Sequence, residues 1–146
     1  MENVRLYLNK MGSKTKGTKA ERELFHMLWE HFGPALRSAG SGSTPRPSPD
    51  LLASNGKKVL AIECKSSKKE NIYLTKKEVD ELNEFCNLFK AEPWIGVRFN
   101  NMEWFFLDTN NLKKTKKNYY CVNLDNIKKK GLNFDELIGK FRQLRL

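Results

Sequence analysis

The stretch from Pro49 to Lys65, PDLLASNGKKVLAIECK, constrains the fold more than any other part of the chain. Two apolar runs flank Asn55-Gly56, and both turn residues tolerate positive φ. The segment therefore predicts a β-hairpin with a two-residue loop. In that register Ser54 faces Lys57 and Asp50 pairs with Ala61. Opposed residues project to one face, as do residues i and i+2 of a strand. Asp50, Ala61, Glu63 and Lys65 then share a face, with the backbones of Asp50 and Glu63 diagonal neighbours about 7–8 Å apart. Val59 on the same face is apolar, like Ala61, so the charged residues fall where the covered face of the sheet reaches its edge.

Each of these residues has an ordinary explanation. Asp after proline is a common turn residue, and Glu63 and Lys65 are unremarkable at a strand end. Their shared face is what joins them. Two carboxylates at this separation converge on one small cation, with an ammonium beside them. Oxygen donors suit Mg²⁺, with Mn²⁺ as a substitute, better than zinc. Such a site fits phosphodiester hydrolysis, in which a metal held by Asp50 and Glu63 polarises a phosphoryl oxygen and lowers the pKa of its water. Lys65 either orients or helps to deprotonate that water, or neutralises the transition state.

Composition points to the same class of substrate. The chain of 146 residues carries 27 basic and 17 acidic residues, a formal net charge of +10. An excess of this size favours a polyanion, with nucleic acid ahead of an anionic membrane surface. No run approaches the roughly 20 apolar residues of a membrane span, and no signal-peptide core follows the start. A cytoplasmic protein is expected, nucleoid-associated or, for a virus, in the host cytoplasm, with no membrane partner and no organic cofactor. Cys64, Cys86 and Cys121 are widely spaced without a CxxC, which suggests buried thiols and neither disulfides nor zinc.

The length suits one compact domain. Residues 1–17 read as a basic, flexible N-terminal arm and 18–146 as a single domain. Thr18-x-x-Glu21 fits a capping box opening a helix with Ala20, Leu24, Met27 and Leu28 on its apolar stripe, ending near Phe32-Gly33-Pro34. A short strand from about Ala35 to Ala39 and a Gly/Ser/Pro-rich loop (40–49) lead into the hairpin. After a basic connection (66–71), Thr75-x-x-Glu78 opens a second helix with Val79, Leu82, Phe85, Cys86 and Phe89 on one side. Trp94–Phe99 and Glu103–Leu107 around Asn100-Asn101 suggest another hairpin, apolar on both faces. Either it is a buried central pair, or it forms a dimer interface. A strand around Tyr119–Val122 precedes a terminal helix carrying Phe134, Leu137, Ile138 and Phe141. The pattern describes an α/β (α+β) domain with a central mixed β-sheet flanked by helices.

Five motifs in this order carry a family resemblance: Ala20-Glu21-Arg22-Glu23-Leu24, Arg37-Ser38-Ala39-Gly40-Ser41, Pro49-Asp50, Ile62-Glu63-Cys64-Lys65 and Ile72-Tyr73. The chain closely resembles the archaeal-type Holliday junction resolvases of the PD-(D/E)xK nuclease superfamily. The resemblance implies a restriction-endonuclease-like core and a homodimer that binds four-way DNA junctions and cuts two opposed strands symmetrically with Mg²⁺. It implies that Glu21, Asp50 and Glu63 are the acidic, metal-holding residues, that Lys65 is the catalytic lysine, and that Ser41 assists near the scissile phosphate. Arg22 and Arg37 match phosphate-holding positions. Glu21 has two readings from the residues themselves, a capping residue or a third carboxylate. Glu78 stands where relatives often carry glutamine; its capping box explains it, and no catalytic role is assigned.

Lys14, Lys16, Lys19, Arg22, Arg37, Ser43, Arg46, Lys68 and Lys69 flank the site in sequence and are the candidate DNA contacts, tracking phosphates. Lys113, Lys114, Lys116 and Lys117 form a second basic run that reads as a solvated loop. No base-reading motif is evident, which suits recognition of branched shape. Two other functions compete with junction resolution: a related nuclease acting on duplex or flap DNA, and a junction-binding protein that does not cut. Paired carboxylates, which repel phosphate unless a metal is bound, argue against the latter.

Overall fold

In the computed structural model, residues 13–38, 45–100, 102–115 and 117–140 are described, with side chains from Thr18 onward. The elements in chain order are α1 (Ser13–His31), β1 (Ala35–Arg37), β2 (Leu51–Ser54), β3 (Val59–Ser67), β4 (Asn71–Thr75), α2 (Lys76–Phe89), β5 (Glu92–Phe99) and β6 (Phe105–Asp108). A 3₁₀ turn (Thr109–Asn111), β7 (Lys113–Lys114), β8 (Tyr119–Asn123), α3 (Leu124–Lys130), β9 (Leu132–Asn133) and α4 (Phe134–Leu137) follow. A six-stranded sheet runs β1-β2-β3-β5-β6-β9, and a smaller one runs β4-β8-β7. β3 and β5 are parallel, because the β4–α2 connection crosses over between them. The other pairs are antiparallel, so the expected mixed sheet flanked by helices is the observed one.

Alternation along β3 divides the core in two. Leu60 and Ile62 pack with Ala20, Leu24 and Leu28 of α1 and with Phe106. Ala61, on the other face, packs with Val79, Leu82 and Cys86 of α2, with Ile95 and Val97, and with Ile72, Leu74 and Val122 of the small sheet. β5 lies between β3 and β6, and Ile95, Val97, Phe99, Trp104, Phe106 and Leu107 are buried. The aromatic-rich segment is therefore a buried central pair.

Several expected boundaries move. α1 begins at Ser13, so Thr18 lies inside the helix and does not cap it. The apolar stripe nevertheless holds, with Met27 half-buried. The loop of the β2–β3 hairpin spans four residues, not two, since Ser54 pairs with Val59 and Leu51 with Ile62. The cause is the Asn55 side chain, whose Oδ1 accepts from the amides of Lys57 at 2.9 Å and Lys58 at 2.8 Å and closes a wider turn. β3 continues to Ser67 and takes in part of the stretch expected as connection, while the expected strand after α1 stops at Arg37.

β5 and β6 pair from Val97 and Phe105 inward, and the expected tight turn between them is present. The Met102 amide donates to Phe99 O at 2.8 Å, the bond that closes a four-residue turn, with Asn100 at a φ of 38°. There the Asn100 amide donates to Ser67 O at 2.7 Å and Arg98 Nε to Met102 O at 3.1 Å. α3 was not anticipated; Asn123 caps it by accepting from the Asn126 amide at 2.7 Å. Among the described residues the expected terminal helix is the short α4, and Phe141 lies outside them. Phe89 is 51% exposed and stacks on Phe85, so the apolar stripe of α2 ends at Cys86. The cysteines are free, but only Cys86 is buried; Cys64 and Cys121 are half-buried.

The α1–β1 connection depends on a close approach. A Cβ on Gly33 would lie 2.2 Å from the carbonyl oxygen of Ser54, a backbone atom that cannot rotate away. Gly33→Ala is expected to destabilise the domain by about 1–3 kcal/mol, read as a lower urea midpoint. An unchanged midpoint would show that the helix end and β2 separate freely.

Candidate active site

The wider hairpin loop changes the register without changing the faces. Continuing the Leu51–Ile62 pairing by one residue sets Asp50 across from Glu63, and not from Ala61. The partner shifts by two positions along β3, and a shift of two keeps each side chain on its face. Asp50, Glu63 and Lys65 accordingly meet at the open end of the hairpin. Asp50 Oδ2 accepts from the Cys64 amide at 2.8 Å, which holds the carboxylate against β3. The Asp50 carbonyl accepts from the Ser38 amide at 3.0 Å and ties the same point to the end of β1.

Around this pair lies an open cleft of about 710 Å³ lined by Glu21, Arg46, Asp50, Glu63, Lys65 and Glu78, among others. Glu21 reaches it from the middle of α1, so helix capping does not explain that residue. Its Oε1 accepts from Arg37 Nε at 3.2 Å, which makes Arg37 the partner of Glu21. Lys65 Nζ lies 2.7 Å from Glu78 Oε1. Glu78 occupies the first turn of α2, and its capping box with Thr75 is present as expected.

Electrostatics mark Glu63 as the most perturbed carboxyl of the cleft. Burial, then the charge of Asp50 and a hydrogen bond with it, push its pKa from the ordinary 4.5 up to about 9; Lys65 opposes this and Glu78 adds to it. Glu21 is also raised, by burial and by Asp50, against the pull of Arg37 and Arg22. For Lys65, burial lowers the pKa, but the Glu78 hydrogen bond and the charges of Glu78, Glu63 and Asp50 outweigh it and raise the value. Glu78 is lowered: burial is outweighed by its bonds to Lys65 and Thr75. The Cys64 thiol is pushed well above its usual range by burial and by Asp50, Glu21 and Glu63, so no thiolate is offered there.

A proton shared between two crowded carboxylates occupies a place that a cation can take. The Asp50–Glu63 pair supplies hard oxygen donors only, which fits Mg²⁺ or Mn²⁺. Among the described residues, no three His, Cys, Asp or Glu side chains form a ready-made metal cage. The donor set is thus the pair, with Glu21 nearby and engaged by Arg37.

Arg22 and Arg37 line a separate groove with Phe25 and His26, and among the candidate DNA contacts with described side chains only Arg46 lines this cleft. Arg46 is exposed at its rim, Lys19 and Arg22 are exposed on α1, and Lys68 and Lys69 are exposed in the turn after β3. Ser41, Ser43 and the side chains of Lys14 and Lys16 lie outside the described residues. Lys113 and Lys114 are exposed on β7, on the smaller sheet. Sequence reasoning missed the link between Glu78 and Lys65. A signal was available, since the first turn of a helix packed on the face of Ala61 also faces Glu63 and Lys65.

The profile of the family described as "Archaeal holliday junction resolvase (hjc)" matches residues 12–146. Similar proteins include the crossover junction endodeoxyribonuclease Hjc of Archaeoglobus fulgidus, 39% identical over 132 residues that cover 90% of this chain and 96% of that one. The protein of the same name from Methanocaldococcus jannaschii is 34% identical over 131 residues, covering 90% and 92%. Among solved structures, Hjc of Archaeoglobus fulgidus, a Holliday junction resolvase from an archaeal hyperthermophile, superposes with a TM-score of 0.78 at 34% identity. The match covers 88% of this chain and 99% of that one.

The raised pKa of Glu63 has a sign that can be tested. Between 4.5 and about 9 the folded chain keeps a proton that the unfolded chain has released, so this group's stabilising contribution is lost as pH rises through that window. In metal-free buffer, the melting temperature of Glu63→Gln should gain on that of the parent protein as pH increases. A constant difference between the two would contradict the crowded-pair reading.

Proposed function

The chain belongs to the archaeal Holliday junction resolvase family, and from that membership we propose that it is a structure-selective, Mg²⁺-dependent endonuclease. It hydrolyses phosphodiesters symmetrically at four-way DNA junctions, as a homodimer. The observation that carries this reading is the Asp50–Glu63 carboxylate pair beside the Lys65 ammonium, in an open cleft of a chain with net charge +10.

Asp50 and Glu63 hold the metal, with Glu21 as the third carboxylate, and Mn²⁺ can substitute. A bound ion supplies Lewis-acid polarisation of the phosphoryl oxygen and a more acidic water. The chain's own residues do the remainder. The Cys64 amide keeps Asp50 in place. Lys65, held as an ammonium by Glu78, is suited to stabilising negative charge on the phosphoryl oxygens or the departing oxygen, and less to taking a proton. Ser41 assists near the scissile phosphate. Lys16, Lys19, Arg22, Arg37, Ser43, Arg46, Lys68 and Lys69 contact the DNA backbone and give affinity that falls with salt.

Two cuts related by the two-fold symmetry of a junction need two active sites, which a two-fold homodimer supplies. Among the described residues no base-reading element is present, which suits recognition by branch geometry. Among the described residues, no helix is long and apolar enough to cross a membrane.

The test is Asp50→Asn assayed for cutting and for binding on one synthetic four-way junction. Cutting is expected to be abolished, with binding unchanged or tighter, because a negative charge near the phosphate is removed. Retained cutting would remove Asp50 from the chemistry. Loss of binding together with loss of the folded state would mark it as structural.

A further inference from the structure

Glu78 is a cleft residue outside the acidic motif, and its contact with Lys65 has a consequence for the neighbouring carboxylates. Both of its carboxylate oxygens are engaged. Oε2 accepts from the Thr75 amide at 2.8 Å and from Thr75 Oγ1 at 3.3 Å, while Oε1 faces Lys65 Nζ at 2.7 Å. The Glu78 amide in turn donates to Thr75 Oγ1 at 3.1 Å. The helix cap therefore fixes one oxygen and turns the other toward β3. The ion pair is sheltered, with side-chain exposures of 28% for Lys65 and 34% for Glu78, so it is screened less than a surface pair.

This placement bears on the neighbouring carboxylates. Lys65 is two residues from Glu63 and feels both Glu63 and Asp50, yet its hydrogen bond goes to Glu78. An ammonium hydrogen-bonded to the Asp50–Glu63 pair would be an internal counter-ion competing with any external one. We propose that Glu78 is a positioning residue that draws the Lys65 ammonium off the Asp50–Glu63 pair and leaves that pair to a divalent cation. The same contact aims Lys65 from the side of α2, where it can meet a phosphate bound next to the metal. The inference rests on the reading of Asp50 and Glu63 as metal ligands.

Glu78→Gln removes the charge that holds Lys65 and keeps the shape of the side chain. Lys65 then turns toward the pair and competes with the metal. Mn²⁺ binding to the full chain without DNA, followed by paramagnetic resonance of the free ion, is expected to weaken about fivefold or more, a coupling typical of linked sites. Junction cutting should shift to correspondingly higher metal concentration and recover once metal saturates. Glu78→Asp, which restores the charge, should return Mn²⁺ affinity toward that of the parent protein.

Thr75→Ala separates capping from charge, since it removes the capping hydroxyl and keeps the carboxylate. It should lower the melting temperature and spare Mn²⁺ affinity. Unchanged Mn²⁺ affinity in Glu78→Gln would overturn the inference. So would cutting that saturating metal fails to restore, or a Thr75→Ala loss of affinity as large as that of Glu78→Gln. A parent protein that binds no Mn²⁺ would instead overturn the metal reading itself, and this inference with it.

Discussion

The hydrogen bond from the Cys64 amide to Asp50 Oδ2, at 2.8 Å, is the contact on which the site depends. It fastens a residue just ahead of β2 to the backbone of β3 between Glu63 and Lys65. Ordinary pairing of the two strands would leave Asp50 at a frayed end. With this bond and the Ser38 amide on its carbonyl, Asp50 is held across from Glu63 and crowds it. That crowding, in a half-buried position, is what suits two unremarkable carboxylates to the proposed cation site.

The charge of the whole and the charge of the cleft have opposite signs. The chain carries a net +10, which attracts DNA over distances comparable with the Debye length. The cleft gathers Glu21, Asp50, Glu63, Glu78 and Glu81 against Arg46, Lys65 and Lys77, and its ionised carboxylates would repel a phosphate at contact. On the proposed reading, a divalent cation entering with the DNA would reconcile long-range attraction with short-range repulsion. Arg37 and Lys65 each neutralise one carboxylate, Glu21 and Glu78 respectively. The proposed function leaves the Asp50–Glu63 pair to the ion.

Much of this was legible in the sequence, for reasons that are specific to each element. The observed hairpin register differs from the expected one by two positions along β3, yet the faces are the same, because side-chain direction repeats every second residue. What the sequence did not reveal was that the Asn55 side chain would accept from two following amides and widen the turn. The Thr75 capping box was readable because it lies at a true helix start. Thr18-x-x-Glu21 has the same spacing inside a longer helix, and spacing alone does not distinguish the two. α3 escaped notice since its seven residues are too few for a period to emerge, and its start depends on Asn123 acting as a cap. The pairing of Lys65 with Glu78 was hidden for another reason. It joins a strand to a helix beyond β4, and only packing on the Ala61 face brings them together.

The most direct test of the account is cleavage of a synthetic four-way junction beside linear duplex of the same arms, each with Mg²⁺ and with the metal chelated. Paired, symmetric nicks are expected in the junction alone and only with metal present. Equal cutting of linear duplex, or binding of the junction without cutting in Mg²⁺, would contradict that reading.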